Sequence, residues 1–291
     1  MKTTLFIFSF ALAGTLHAQT LPERMAIKTC ECLDTVTTYQ QMQDSIVNCS
    51  AMAMVLAIME GTPKEAEIIN TVDGLTKTLD KANELLPSVC PHVRSLILEE
   101  KKNQFYGASP VAEANDHYIS GNIARELGDY DKAVKEYTKS LNLDKKFVSA
   151  LDHLGLTYRL KKEYKKALKY YLKSLDIFPE GDIALLNIAV VYSFTNDFDK
   201  ALSYYTKLAN LYPNNPEGYF GCGKILYLQA QYGPALDNVF TAHRMYVETN
   251  SDYVKDSETL MSIMYAKLKS LDKLSLFEEK AKAHNIVFGG K

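Results

Sequence analysis

Three stretches of equal length recur at a spacing of thirty-four residues. "GDYDKAVKEYTKSLNLD" runs from Gly128 to Asp144, "KEYKKALKYYLKSLDIF" occupies 162–178, and "NDFDKALSYYTKLANLY" occupies 196–212. A fixed period over consecutive copies is typical of stacked arrays, in which each unit buries its apolar face against the next. The sequence therefore predicts an all-α repeat array rather than a single compact core.

Several positions keep one class of side chain in every copy. A small residue lies at Gly121, Gly155, Ala189 and Gly223, and an alanine at Ala133, Ala167, Ala201 and Ala235. Aromatic rings recur at Tyr130, Tyr164, Phe198 and Tyr232, and again at Tyr137, Tyr171 and Tyr205, with Val239 in the fourth copy. Small residues let two helices approach closely, and rings fill the space between them. Pro179 and Pro213 also obey the period and are expected to end a helix.

This pattern resembles the tetratricopeptide repeat (TPR) family. The match covers residues 114–247 as four repeats: 114–147, 148–181, 182–215 and 216–247. The chain departs from the family pattern at its tryptophan position, which holds His117, Leu151, Leu185 and Tyr219, and at two proline positions, Lys145 and Val247. The resemblance implies a right-handed superhelical solenoid whose concave groove acts mainly as a protein-binding scaffold.

In this family the groove is lined by residues of each first helix. Carried over by position, the expected groove residues are Tyr118, Asn122, Arg125, Asp152, Leu156, Arg159, Leu186, Val190, Phe194, Phe220, Lys224 and Tyr227. Polar and aromatic ends with an apolar middle suit a peptide with a hydrophobic centre. The alternative is that some of these residues contact the caps or their neighbours instead. The positions of the carboxylate clamp found in chaperone-binding relatives (Tyr118, Asn122, His153, Ile183 and Asn187) match at one place, which argues against a heat-shock chaperone partner.

The first eighteen residues are predicted to be an export signal. Lys2 precedes an apolar run from Leu5 to Leu12, too short to cross a bilayer, and a cut after Ala18 is plausible. No cysteine lies at that cut, so a lipoprotein anchor is not expected. The alternative is a buried N-terminal helix. Export predicts a periplasmic or secreted protein with no membrane insertion in its mature form.

Four of the five cysteines lie before residue 91. In an exported protein, Cys30, Cys32, Cys49 and Cys90 are expected to form two disulfides, with a metal site at the C-x-C pair as the alternative. Cys30 and Cys32 point in different directions on one helix. The midpoint of 32 and 49 falls in a plausible turn, which favours Cys32–Cys49 and Cys30–Cys90. The fifth, Cys222, reads as a buried apolar residue.

Residues 22–105 are predicted to form a four-helix, cysteine-containing bundle. The stretch 51–61 is apolar on every side and is expected to be buried. A helix beginning after Thr62 is expected to end at Pro87. Residues 106–113 form the linker to the array, and 252–286 are expected to be two capping helices.

Charge and motifs point away from other activities. The 33 Lys and Arg nearly balance 35 Asp and Glu, so no basic face for nucleic acid is evident. No phosphate loop, dinucleotide motif or nucleophile elbow is present, so no enzyme, cofactor or metal is predicted. The favoured function is a scaffold that binds a peptide or protein in the bacterial envelope. The rivals are a structural subunit of a secretion, motility or outer-membrane assembly, and an enzyme with its site in residues 22–105.

Overall fold

The computed structural model describes residues 19–287, which form fifteen helices and no strand. The chain divides into two compact units between Glu100 and Lys101. The first unit contains α1 (Leu21–Cys32), α2 (Tyr39–Met59), α3 (Pro63–Ile69), α4 (Val72–Val89) and most of α5 (Pro91–Phe105). The second contains the end of α5 and ten further helices. The predicted export signal, residues 1–18, lies outside the described residues.

Residues 22–105 form five helices where four were expected. Thr62 begins α3 with a capping box, accepting from Glu65 N while Glu65 Oε2 accepts from Thr62 N at 2.7 Å. Thr71 then caps a separate helix, because its hydroxyl accepts from Gly74 N at 3.1 Å. Pro87 does not end α4, which continues to Val89. A proline in the last turn removes one hydrogen bond, so the helix tolerates it there.

Two small apolar clusters form the core of the first unit. One contains Leu33, Val36, Met42, Cys49, Leu86, Cys90 and Val93, and the other Leu21, Met25, Ala57 and Ala82. The structure joins Cys30 to Cys90 and Cys32 to Cys49 as disulfides, with Cα separations of 5.4 and 5.6 Å. All four cysteines belong to the larger cluster or pack against it. Cys32–Cys49 connects α1 to α2, and Cys30–Cys90 connects α1 to the end of α4.

Helix α2 is buried on one side only, contrary to the expectation for residues 51–61. Val47, Met52, Val55, Leu56 and Met59 are exposed, Met59 by 79%. The physical reason is the packing of the unit: α1 contacts both α2 and α4, which leaves the opposite side of α2 without a neighbouring helix in the described unit. By length and composition α2 could also cross a membrane, and no other helix in residues 19–287 meets that test.

The second unit is a series of antiparallel helix pairs. The pairs are α6 (Ala112–Glu126) with α7 (Tyr130–Leu143), α8 (Val148–Leu160) with α9 (Tyr164–Ile177), α10 (Asp182–Phe194) with α11 (Phe198–Leu211), and α12 (Pro216–Leu228) with α13 (Tyr232–Glu248). Each second helix packs on the first helix of the next pair. The four repeated alanines are fully buried. A Cβ on Gly155 would lie 2.7 Å from the Tyr171 ring, so close helix approach requires glycine there.

The turn inside each pair repeats one unusual backbone conformation. Gly128, Lys162, Asn196 and Ala230, thirty-four residues apart, all have φ between 58° and 78°. Glycine and asparagine adopt this left-handed region readily, whereas lysine and alanine do so at a cost. Asp129 and Asp197 follow the turn as N-caps, accepting from Lys132 N and Lys200 N. The period therefore fixes backbone conformation as well as side-chain packing.

Two helices follow the last pair, α14 (Val254–Ser270) and α15 (Leu274–Ala283). Met261, Met264, Leu268, Phe277 and Ala281 join the apolar cluster of the fourth pair. Lys280 also pairs with Asp237 of α13 at 2.7 Å. These helices cover the apolar side of α13, as expected of a terminal cap.

Candidate peptide-binding face of the repeat array

All twelve expected groove residues lie on the first helices of the four pairs. Three lie on each of α6, α8, α10 and α12, at successive turns. Their exposure differs widely. Phe194 and Lys224 are exposed, Asp152 is fully buried, and the other nine are half-buried. The face is therefore divided into regions with different chemistry.

Across α6 and α8, the polar residues bind one another. Asn122 Oδ1 accepts from the Tyr137 hydroxyl at 2.6 Å and lies 2.7 Å from His153 Nδ1. Burial, followed by the charge of Arg125, lowers the pKa of His153 to about 4. The ring is then neutral near pH 7 and donates from Nδ1. Tyr118 stacks on it with centroids 5.2 Å apart. Here the alternative of internal contacts applies, because Asn122 and Tyr118 serve the packing of the first two repeats.

Two arginines occupy the same position of consecutive repeats. Arg125 lies beside Tyr137, and Arg159 lies beside Tyr171. Burial raises the pKa of both tyrosines, and the neighbouring guanidinium acts in the opposite direction. Both arginines are half-buried. They give this part of the face a fixed positive character.

The far end of the face is aromatic and open. Phe194 is 58% exposed and touches the array by stacking on Tyr164 at 5.9 Å. Phe220 is half-buried, with the Lys224 ammonium 5.8 Å from its centroid. Leu186, Val190 and Tyr227 pack partly against the apolar cluster of the third and fourth pairs. The exposed ring of Phe194 offers apolar contact, and the exposed ammonium of Lys224 beside the half-buried ring of Phe220 adds a charged one.

Asp152 was expected to line the groove, but its side chain has no exposed surface. Neither of its carboxylate oxygens, nor the Ser174 hydroxyl that approaches it, has a well-formed hydrogen bond within residues 19–287. Burial raises the pKa of Asp152 to about 7, and the nearby Asp182 adds to the rise. Asp152 is therefore fully covered in this conformation.

Sequence reasoning missed the residues that lie next to Asp152. The segment 101–106, at the end of α5, packs on the first helices of repeats two and three. Ser149 Oγ, one turn before Asp152, donates to Tyr106 O at 3.2 Å, and Phe105 stacks on Phe178 with centroids 4.8 Å apart. Because the partners lie 43 to 79 residues away along the chain, neither period nor composition could have predicted the contact.

The linker 106–113 is also ordered by the array. Ser109 is buried, and its hydroxyl donates to Asp144 Oδ2 at 2.6 Å. Asn115 accepts from Ser109 N at 2.9 Å and returns a bond to Ser109 O at 2.7 Å. These bonds fix the chain between Tyr106 and the start of α6.

Residues 19–287 contain no group of three or more His, Cys, Asp or Glu side chains arranged to hold a metal ion. In the first unit, a pocket of about 350 Å³ lies between α2 and α4. It is lined by Ile46, Val47, Ser50, Ala51, Met54, Thr76, Leu79, Asp80 and Asn83. A single carboxylate without a facing base does not form an acid–base pair.

Comparison with known proteins identifies the array. The family model described as "Tetratricopeptide repeat" matches residues 112–180 and 147–214. No curated protein matches the chain. Among solved structures, MamA 41-end from Desulfovibrio magneticus RS-1 is 14% identical, with a TM-score of 0.51 over 61% of this chain and 96% of that one.

Two further solved structures are similar in part. YrrB, described as a TPR protein with an unusual peptide-binding site, is 21% identical and covers 66% of this chain and 91% of its own, with a TM-score of 0.46. The first TPR of Spaghetti (RPAP3), bound to an HSP90 peptide, is 21% identical and covers 40% and 94%, with a TM-score of 0.39. The likeness to MamA supports the helical-repeat fold and nothing beyond it.

Proposed function

Since residues 112–214 are tetratricopeptide repeats, the chain is a TPR protein, and on that premise we propose that it is a non-catalytic scaffold in the bacterial envelope. It binds a peptide or protein through the concave face of the repeat array. The observation that carries the proposal is the exposed aromatic end of that face. Phe194 projects from the last turn of α10 with more than half its surface exposed, although Ala184, Leu185, Ile188, Ala189 and Val191 of this apolar helix are buried.

The exposed end has the composition of a binding surface. Aromatic side chains in a concave site are frequent binding hot spots, and a neighbouring cation adds specificity. Phe194 is the last residue of α10, Phe220 lies in the second turn of α12, and Lys224 lies one turn after Phe220. An extended or helical peptide with a hydrophobic centre fits this surface.

The location is part of the same proposal. The basic residue and apolar run at 1–18 support export, and the four cysteines of the first unit suit an oxidising compartment. N-terminal sequencing of the protein from its own host is expected to begin at Gln19. An intact Met1 on a cytoplasmic protein would contradict export while leaving the binding proposal untouched.

The experiment on binding is affinity capture from envelope extract of the native host, followed by mass spectrometry. The bait is the full chain, compared with the double variant Phe194→Ala/Phe220→Ala. We expect the variant to keep its melting temperature to within a few degrees and to lose the captured partner. A variant that folds normally and captures the same proteins would exclude this face as the binding surface.

The outer face of α2 favours a second candidate, a structural subunit of an envelope assembly. This face consists of Val47, Met52, Val55, Leu56 and Met59, and no charged residue lies between Asp44 and Glu60. Contiguous exposed apolar surface of this kind marks interaction sites. If the chain is such a subunit, we expect Val47→Ser/Val55→Ser to shift the protein out of a high-mass complex on size-exclusion chromatography. Val72→Ser on α4 is the control and is expected to leave the complex unchanged.

A further inference from the structure

The segment 101–106 makes a set of contacts that resembles a bound peptide. Lys101 Nζ pairs with Glu180 Oε1 at 2.7 Å, and Lys102 Nζ pairs with Asp182 Oδ2 at 3.1 Å. The Lys102 ammonium also lies 5.6 Å from the Tyr212 centroid. Two cations on adjacent residues thus meet two carboxylates at the junction of the second and third repeats and a ring near the end of the third.

The rings of the segment occupy a second, apolar part of the same surface. Phe105 stacks on Phe178, and Tyr106 contacts Phe178 edge to face at 5.5 Å. The Tyr106 hydroxyl accepts from Ile183 N at 3.3 Å and hydrogen-bonds the Asp182 carboxylate. Phe178 itself is fully buried. The half-buried rings of Phe105 and Tyr106 therefore cover Phe178 at the junction of the second and third repeats.

The surface under the segment is built for a positively charged ligand. Asp152 is buried there without a well-formed hydrogen bond among residues 19–287, and Asp182 and Glu180 lie along the same edge. An uncompensated buried carboxyl group is costly to stability. A group that costs stability and lies on the face of a binding array is better explained by recognition than by packing alone.

We propose that Asp152, Phe178, Glu180, Asp182 and Tyr212 form an acidic–aromatic site for a short peptide with two adjacent basic residues followed by two aromatic ones, and that segment 101–106 occupies this site as an internal ligand. The proposal rests on the proposed function, because Asp152 and Asp182 lie on first helices of the array, while Phe178, Glu180 and Tyr212 lie at or after the ends of second helices. It adds the chemistry of the partner and a regulation: a partner peptide competes with the chain's own segment.

Competition from within the chain follows from tethering. A segment joined to the array through residues 107–111 has an effective concentration in the millimolar range, so a free peptide of equal affinity binds weakly. Weakening the internal segment makes the site available and raises the apparent affinity of an added peptide. The quantity to measure is therefore the difference in peptide affinity between the unaltered chain and a variant with a weakened internal segment.

The test uses the full chain and a fluorescein-labelled peptide with the sequence of residues 99–108, EEKKNQFYGA. Two release variants act by different routes: Phe105→Ala/Tyr106→Ala removes the rings, and Lys101→Glu/Lys102→Glu keeps them but repels the two carboxylates. We expect both to bind the peptide at least tenfold more tightly than the unaltered chain. A peptide with alanine in place of its Phe and Tyr is the ligand control.

A further variant identifies the site. Adding Glu180→Gln/Asp182→Asn to the first release variant is expected to return peptide binding to the level of the unaltered chain, with circular dichroism unchanged. Equal binding by the unaltered chain and both release variants, or none at all, overturns the proposal. So does binding that survives the loss of both carboxylates. None of these results bears on partner capture through Phe194 and Phe220, so failure here is separable from failure of the proposed function.

Discussion

The repeat array and the N-terminal unit are both helical, but they bury apolar side chains in different ways. In the array, the same alanine and the same ring are buried every thirty-four residues, and each pair covers the next. In the N-terminal unit, the buried side chains form two small clusters, the larger of which contains both disulfides, and α2 leaves apolar side chains exposed. In the array, each contact recurs between neighbouring repeats, so the sequence period identifies the partner of each repeated residue. In the N-terminal bundle, the contacts and disulfides join residues that no period relates.

The largest effect is expected from removing a repeated ring. Tyr171 is fully buried and contacts the Gly155 backbone, so Tyr171→Ala leaves a cavity that neighbouring repeats cannot close. We expect a loss of about 3–5 kcal/mol in the free energy of unfolding of the array. The measurement is urea unfolding followed by circular dichroism.

Tyr170→Ala is the matched control for this variant. Tyr170 immediately precedes Tyr171 on α9, is half-buried and stacks on Tyr158 with ring centroids 5.5 Å apart. It is expected to cost much less. Equal losses for the two variants would show that the thirty-four-residue period does not select the core of the array.

The second prediction concerns the disulfides of the N-terminal unit. The links close chain separations of 60 and 17 residues. The chain-entropy relation gives stabilisation of about 4 kcal/mol for Cys30–Cys90 and about 3 kcal/mol for Cys32–Cys49. Replacing either pair with alanine is expected to lower the transition of the first unit and to leave the array transition in place.

Non-reducing peptide mapping decides the pairing itself. We expect linked peptides containing Cys30 with Cys90 and Cys32 with Cys49. A Cys30–Cys49 peptide would contradict the hairpin register from which the pairing was predicted. A single shared transition in the alanine variants would contradict the independence of the two units.

The same contrast explains what the sequence could predict. The helix pairs and the family followed from recurring residues such as Ala133 and Tyr137, because each makes its contact within one or two repeats. The burial of residues 51–61 on every side was predicted wrongly, because composition does not tell which helix lies beside α2. The burial of Asp152 was missed for a similar reason: segment 101–106 reaches it from outside the periodic region. The disulfide pairing and the use of the groove stay predictions.

The third prediction concerns pH. Asp152 is faced by Tyr106 at the end of α5, by Tyr171 and Ser174 of α9, and by Asp182 of α10, which itself pairs with Lys102. Its pKa is raised from 3.8 to about 7. The folded state therefore holds a proton that the unfolded state has already released, and stability falls as pH rises from about 4 through about 7.

Between pH 6 and pH 8 this group alone is expected to lower the free energy of unfolding by about 1 kcal/mol. Asp152→Asn keeps the shape of the side chain and removes the titrating carboxyl group. The free energy of unfolding of the variant should therefore lack this decrease between pH 6 and pH 8. The measurement is urea unfolding at pH 6 and pH 8 for both proteins. An identical slope in the variant would mean that Asp152 does not titrate in this range.

The smallest effect is expected in the turns, where all four repeats can be compared directly. Ala230 adopts φ 58°, the conformation that Gly128 adopts at 78° in the first repeat. Left-handed backbone disfavours alanine, and the greater entropy that glycine loses on folding offsets part of the gain. Ala230→Gly is therefore expected to stabilise the array by about 0.5–1 kcal/mol, and Gly128→Ala to destabilise it by a similar amount. The added Cβ at Gly128 has no atom within 4 Å among the described residues, so the effect there comes from the backbone alone. Equal melting temperatures for all three proteins would show that the turns relax at no cost, and that the period acts through side-chain packing and not through the backbone.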